Sequence, residues 1–271
     1  PVSNSFIFKS ISKEDLYHAI FSMKANRSAG IDKISVRLLQ EAGTTILESL
    51  HYIFNLLIKT GIFPEDWKTA RVTPIYKSDD KTECGNYRPI SVISNVAKIF
   101  EKLIYNQLLA FLNENEVIAK NQSGFRSNHS TETTLLHLTN NWLTNMDKGL
   151  INGVVFLDLK KAFDTVDHNI LLSKLERCGV RGTALQWFQS YLYERKQICR
   201  INNTISSETK IHCGVPQGSN LGPLLFLIYI NDLPHCLETT TASMFADDTN
   251  LSCTGQTSAD IEYKINKDLD N

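Results

Sequence analysis

Phe245-Ala246-Asp247-Asp248 ends a short apolar run, residues 242–246, in two adjacent carboxylates. A second apolar run, Val154-Val155-Phe156-Leu157, leads straight into a third, Asp158. An aspartate at a strand end gains nothing from burial, and an adjacent pair repels itself unless something positive lies between. The usual positive object is a divalent metal ion in a shell of hard oxygen ligands, completed by a substrate phosphate. Two strands that aim acids at one point are how two-metal phosphoryl-transfer sites are assembled. Taken alone, the Asp-Asp dipeptide favours the plainer reading of a polar turn closing a hairpin. The rest of the sequence reverses that preference.

The 271 residues have room for one large domain or two modest ones, and a 42% hydrophobic, 21% charged composition is that of an ordinary globular protein. The most apolar stretch, residues 221–230, is too short for a membrane span and holds Gly222 and Pro223, so no membrane partner is expected. A net charge of −1, from 28 Lys+Arg against 29 Asp+Glu, argues on average against a nucleic-acid partner. Local clusters modify that: Arg195-Lys196 with Arg200, and Lys160-Lys161 beside Asp158, are candidate phosphate contacts, while acids gather at Asp79-Asp80, Glu114, Glu116, Asp268 and Asp270. Six scattered cysteines, without a Cys-x-x-Cys pair or a histidine at zinc spacing, indicate a reduced, intracellular chain. The nucleus is compatible with this, and no signal or transit sequence is seen. The chain opens on Pro1, and both ends read as cuts in something longer.

Ser12-x-x-Asp15 predicts a helix cap before Leu16, Ala19, Ile20 and Met23. Ile46, Leu50, Ile53, Phe54 and Leu57 predict a second helix, stopped by Gly61 and Pro64. Residues 70–76 read as a strand, placed at a sheet edge by Pro74, and 77–86 as a polar loop. Val96, Ile99, Phe100, Leu103, Ile104, Leu108 and Phe111 give the clearest helix, with Asn95 as its cap. Another helix covers 130–148 and ends at Gly149. Beyond it come a buried strand to Asp158, a helix capped by Asp167, and a helix holding Leu185, Trp187, Phe188 and Tyr191. A hairpin of 197–201 and 209–213 turns near Asn202-Asn203. A Gly/Pro-rich loop, 214–218, then feeds a helix over 221–232, and the Asp247-Asp248 hairpin precedes a last helix with Ile261, Ile265 and Leu269.

Strand with acid, helix, hairpin with acids, helix is most of a βαββαβ split sheet, in which the first strand and the hairpin bring Asp158 beside Asp247. A phosphoacceptor receiver domain also groups acids at strand ends, but it needs a lysine on a later strand and a repeated β–α alternation that this chain lacks. The segments Phe156-Leu157-Asp158-Leu159-Lys160-Lys161-Ala162-Phe163-Asp164, Gly214-Val215-Pro216-Gln217-Gly218-Ser219 and Phe245-Ala246-Asp247-Asp248 occur in the order of reverse-transcriptase palm motifs A, B and C. Upstream, Asn86-Tyr87-Arg88-Pro89-Ile90-Ser91 and Gln122-Ser123-Gly124-Phe125-Arg126 resemble finger motifs of non-LTR (LINE-type) retrotransposon enzymes. Leu221-Gly222-Pro223-Leu224-Leu225-Phe226 and Tyr229-Ile230-Asn231-Asp232-Leu233-Pro234 are most similar to the jockey and CR1-like branches.

The resemblance implies an α+β fold: the fingers and a truncated ferredoxin-like palm of a right-handed polymerase, behind a mostly helical N-terminal part. Residues 1–57 would be the helical extension, about 58–150 the fingers and 151–271 an incomplete palm. It implies RNA-directed DNA synthesis, with RNA template, DNA primer and dNTPs as partners and two Mg²⁺ ions, replaceable by Mn²⁺, as cofactors. Asp158 and Asp247 would bridge the ions and Asp248 would be the secondary acid. Phe163, five residues after Asp158, would lie under the incoming sugar and clash with a 2′-hydroxyl, although core packing accounts for it equally. Lys77 and Arg88 would hold the triphosphate, against a plain surface role for each. Gln217 and Gly218 would meet nucleotide and template, against a ligand-free structural turn. Arg126 is divided between a template contact and an internal ion pair, and Asp164 between the Ala-Phe-Asp pattern and a helix cap.

Two departures stand out. Phe245 replaces the tyrosine of many relatives, and the resemblance leaves this stretch without the last palm strand, the primer grip and the thumb, so that inactivity of the fragment alone is one expectation and a thumb and an endonuclease domain are expected from flanking sequence. A non-catalytic remnant or host-adopted nucleic-acid-binding module is the competing class. Within the same chemistry, group II intron–type and viral RNA-dependent polymerases are less favoured, the latter because it calls for a small or polar residue at Phe163.

Overall fold

A computed structural model describes residues 2–202 and 204–270. In chain order the helices are α1 (Lys13–Phe21), α2 (Val36–Thr60), α3 (Asn95–Glu114), α4 (Thr131–Asp147), α5 (His168–Arg177), α6 (Gly182–Leu192), α7 (Gly222–Ile230) and α8 (Ser258–Leu269). The strands are β1 (Thr69–Tyr76), β2 (Tyr87–Val92), β3 (Ile151–Leu157), β4 (Lys196–Ile201), β5 (Thr204–Ile205), β6 (Thr209–Lys210), β7 (Thr241–Phe245) and β8 (Asp248–Gly255). These form a mixed α+β structure with two sheets. No helix among the described residues is long and apolar enough to cross a membrane. Contacts divide the chain into two compact units, residues 2–115 with 163–225 and residues 116–162 with 226–270.

The first unit holds the sheet β2-β1-β4-β5, with β6 also paired to β4. β1 is antiparallel to β2 and parallel to β4, so it is not the edge strand that Pro74 suggests. The two findings are compatible, because pairing with β4 ends at Val72 and Pro74 faces Pro89 on the other side. Neither proline has an N–H to lose. β2 falls in a stretch the sequence pattern leaves without an element, and it forms by laying Tyr87 to Val92 along β1. The hairpin expected after β4 is shorter than predicted, and half of its turn, Asn203, lies outside the described residues.

α3 is the spine of this unit. Its apolar positions recur every three to four residues, and Ile99, Phe100, Leu103, Ile104, Leu108 and Leu112 are all buried. The cap is Ser94, whose hydroxyl accepts from the N–H groups of Val96 and Ala97. Asn95, the expected cap, is instead fully buried and donates its amide to the Ile34 carbonyl at 2.8 Å. α2 begins ten residues before the first residue of the apolar pattern and bends at Gly43, where φ is +49°. Phe63, Phe100, Trp187 and Tyr191 form the aromatic centre, with Trp187 stacked on Tyr191 at 5.5 Å between ring centres. Arg195, expected at a phosphate, is buried here with its guanidinium over the rings of Tyr191 and Phe63, at 4.9 and 5.8 Å. Lys196 pairs with Glu208 and Arg200 donates to the Asn202 carbonyl, so the expected basic cluster does not form one patch.

The second unit is a three-stranded antiparallel sheet, β3-β8-β7, with α4 and α8 packed against it. Gly153 leaves the space that Ile261 and Ile265 of α8 occupy; a Cβ there would come 2.2 Å from Ile261. Asn152 points the other way, donating to the Trp142 carbonyl and accepting from Asn145, both at 2.9 Å. The acid Asp268 is buried at the end of α8. It accepts from the backbone N–H groups of Glu238, Thr239 and Thr240 and from the Thr240 hydroxyl. Burial alone would raise its pKa, but these four donors hold it well below the ordinary carboxylate range.

A carboxylate depressed in the fold stabilises it above its unfolded pKa of about 4, and that contribution fades as pH falls towards the folded value. Asp268→Ala is therefore expected to cost about 2 kcal/mol at pH 7, read from the urea midpoint, and less below pH 3.

Candidate active site

Seven consecutive pairs join β3 to β8, from Ile151↔Gly255 to Leu157↔Thr249, and five join β7 to β8, ending at Phe245↔Asp248. Asp158 directly follows Leu157, the last residue of β3, and Asp248 directly precedes Thr249, the partner of Leu157, at the start of β8. Asp247 occupies the turn between β7 and β8, so the three acids lie at the same end of the sheet. Side chains alternate along a strand, so Phe156 and Asp248 share the face opposite Gly153 and α8. Phe156, on that same face, is 74% exposed, as Asp158 and Asp248 are exposed. Ala246 and Asp247 form a two-residue loop in which only Ala246 has positive φ, +59°, the signature of a type II′ hairpin.

The donors fit a hard divalent cation in kind: three carboxylates at one end of one sheet. Their side chains are not already closed into a ligand cluster, since no group of three or more His, Cys, Asp or Glu able to hold a metal occurs among the described residues. The hairpin is held from its outer side by residues 119–126. Ser123 N–H donates to the Met244 carbonyl and Met244 N–H to that of Asn121. Gln122 and Arg126 belong to this segment, and Arg126 donates to the carbonyls of Ala119 and Gln122, so it braces its own loop. The motif expected in the fingers therefore lines the acid-bearing hairpin.

The first unit assembles a different group of expected residues. Gln217 Nε2 donates to Asp164 Oδ1 at 2.9 Å, and the Gln217 carbonyl accepts from Ser91 N–H at 2.8 Å. Asp164 is thereby bound to the Gln217 loop, while Asp167 caps α5. Val215 N–H donates to the carbonyl of Phe163, which is half-buried. His168 donates Nε2–H to the Gly214 carbonyl at 2.8 Å, and burial lowers its pKa. Gly218 has φ +111°, and a Cβ there would lie 2.7 Å from the Ser91 carbonyl. What comes close to this glycine is β2 backbone. Lys77 and Arg88 are exposed on one side of the β1–β2 ribbon, near its tip, where Ile75 pairs with Arg88 and Lys77 N–H donates to Asn86.

A group that sequence reasoning passed over lies beneath this loop. Glu101, fully buried on α3, accepts from the Tyr191 hydroxyl at 3.0 Å and from Asn220 N–H at 2.8 Å. Burial raises its pKa, against the opposing pull of Arg195. A charged residue inside an otherwise apolar helix stripe was the available signal.

Residues 75–268 match the family model described as reverse transcriptase (RNA-dependent DNA polymerase). The chain belongs to the reverse transcriptase family. Among its relatives, the probable RNA-directed DNA polymerase from transposon BS of Drosophila melanogaster is 34% identical over 86% of this chain and 26% of its own length. The RNA-directed DNA polymerase from mobile element jockey of the same species is 33% identical over the same shares. The putative 115 kDa protein in type-1 retrotransposable element R1DM, also from that species, is 30% identical over 89% of this chain and 23% of its own length. The chain spans about a quarter of the length of these relatives. This reverse transcriptase domain is therefore homologous to those of non-LTR retrotransposons.

Gly218→Ala is expected to cost about 2 kcal/mol, from positive φ and collision with Ser91. Gly85, with nothing within 4 Å of a Cβ, is the control: Gly85→Ala is expected to leave the urea midpoint unchanged.

Proposed function

We propose that this domain copies RNA into DNA, extending a primer 3′-hydroxyl with dNTPs by in-line attack on the α-phosphate. The observation that carries the reading is the β3–β8–β7 register, which sets Asp158, Asp247 and Asp248 at one end of one sheet in a chain of this family. Asp158 and Asp247 would hold two Mg²⁺ ions, or Mn²⁺ in their place, and Asp248 would support their geometry and charge. When bound, the ions lower the pKa of the primer hydroxyl and neutralise the triphosphate and the departing pyrophosphate. Carboxylate oxygens suit this role because they are hard, anionic and fixed by strand ends.

Lys77 and Arg88 hold the triphosphate, one as a point charge and the other as a fork. Gln217 and Gly218 serve the nucleotide and template, with Asp164 setting the Gln217 amide. Phe163 excludes the ribose 2′-hydroxyl. The sheet β3-β8-β7 belongs to a palm and the β1–β2 ribbon to fingers. The printed names of its relatives support a domain of a mobile element's polymerase, with RNA template and DNA primer as partners.

Primer extension on an RNA template with Mg²⁺ tests this. The chain is expected to add dNTPs, and Asp247→Asn to lower the rate about a thousandfold or more; full activity in that variant contradicts the metal assignment. Phe163→Val is expected to narrow the preference for dNTPs over rNTPs by about tenfold to a hundredfold. Unchanged discrimination makes the ring core packing alone.

A further inference from the structure

Gln122 is a glutamine with a 2% exposed side chain in a protein whose other glutamines have no such burial. Its Oε1 accepts from Ala246 N–H at 2.8 Å and from Gly124 N–H at 2.7 Å, and its Nε2 donates to the Ala246 carbonyl at 3.2 Å. One carboxamide thus meets both polar groups of a single backbone residue, as a neighbouring strand would. Residues 121–123 pair with β7 through backbone as far as Met244, and the Gln122 side chain extends that pairing to Ala246. Gly124 makes the approach possible, because a Cβ there would stand 2.1 Å from Ala246 N.

Ala246 is the residue that most requires such support. It holds φ +59° without being glycine, a conformation that costs about 1 kcal/mol or more, and it directly precedes Asp247. Rotation of its peptide planes would swing Asp247 relative to Asp248 and Asp158.

We propose that Gln122 is a positioning residue: its carboxamide clasps Ala246 and fixes where Asp247 stands. The consequence for catalysis rests on the polymerase reading above, whereas the clasp itself does not. An apolar replacement would strand three buried backbone groups, and a shorter amide would withdraw from them by one carbon–carbon bond.

The test compares wild-type chain with Gln122→Met, Gln122→Asn and Asp247→Asn, using hydrogen exchange, Mn²⁺ binding by electron paramagnetic resonance, and primer extension. Both Gln122 variants are expected to speed exchange at Ala246 and Gly124 by about tenfold while Leu251, within β8, keeps its protection. Mn²⁺ affinity should fall about fivefold, and kcat about tenfold, with the KM for dNTP within about twofold of wild type. Wild-type exchange at Ala246 in a folded Gln122→Asn overturns the clasp, whatever the activity. Faster exchange with unaltered Mn²⁺ affinity and kcat overturns the positioning role. If Gln122→Met does not fold, Gln122→Asn decides. If wild type neither extends primers nor loses Mn²⁺ on Asp247→Asn, the polymerase reading fails, while the exchange data still judge the clasp.

Discussion

The site depends on the register between β3 and β8. Side chains alternate with a period of two, so a slip of one residue would exchange the faces of β3 and shift Asp158 along β8 relative to Asp248. Several features pin that register. Gly153 admits Ile261 and Ile265 at one position only, and its neighbour Asn152 is tied to α4 through Trp142 and Asn145. A two-residue loop then fixes β7 against β8, so the acids are carried by short, rigid connections.

Two kinds of support surround the acids and their expected partners, and both use buried polar groups as fixed struts. In the unit that bears the acids, Gln122 and residues 119–126 hold the outer side of the hairpin. In the other, Asp164, His168, Ser91 and Glu101 fix the loop that carries Gln217 and Gly218. Ser91 and residues 121–123 bond through backbone alone, and the other struts pair a side chain with backbone or with another side chain. Removing one therefore costs more than the bond it makes.

Much of this was legible in the sequence, for physical reasons. α1, α3, α4, α5 and α8 announce themselves by apolar spacing, and α1, α5 and α3 by caps at Ser12, Asp167 and, one residue from expectation, Ser94. The hairpin and its acids follow from a short apolar run broken by two carboxylates. β2 was not legible, because its two-sided exposure and Pro89 erase the alternation of a strand. Arg195, Glu101 and Asp268 were misjudged or passed over for one reason: a charged residue is read as exposed, and here burial is met by ring faces, a phenol and backbone donors. Gln122 was visible as part of a motif. Its role was not, since its partner lies 124 positions away along the chain.

The most direct measurement is anomalous diffraction from crystals of this chain with an RNA template, a DNA primer, a non-hydrolysable dNTP and Mn²⁺. The account predicts Mn²⁺ peaks coordinated jointly by oxygens of Asp158 and Asp247 and by the triphosphate. A triphosphate bound with its Mn²⁺ away from both aspartates, or Asp158 and Asp247 turned to separate faces, would contradict it.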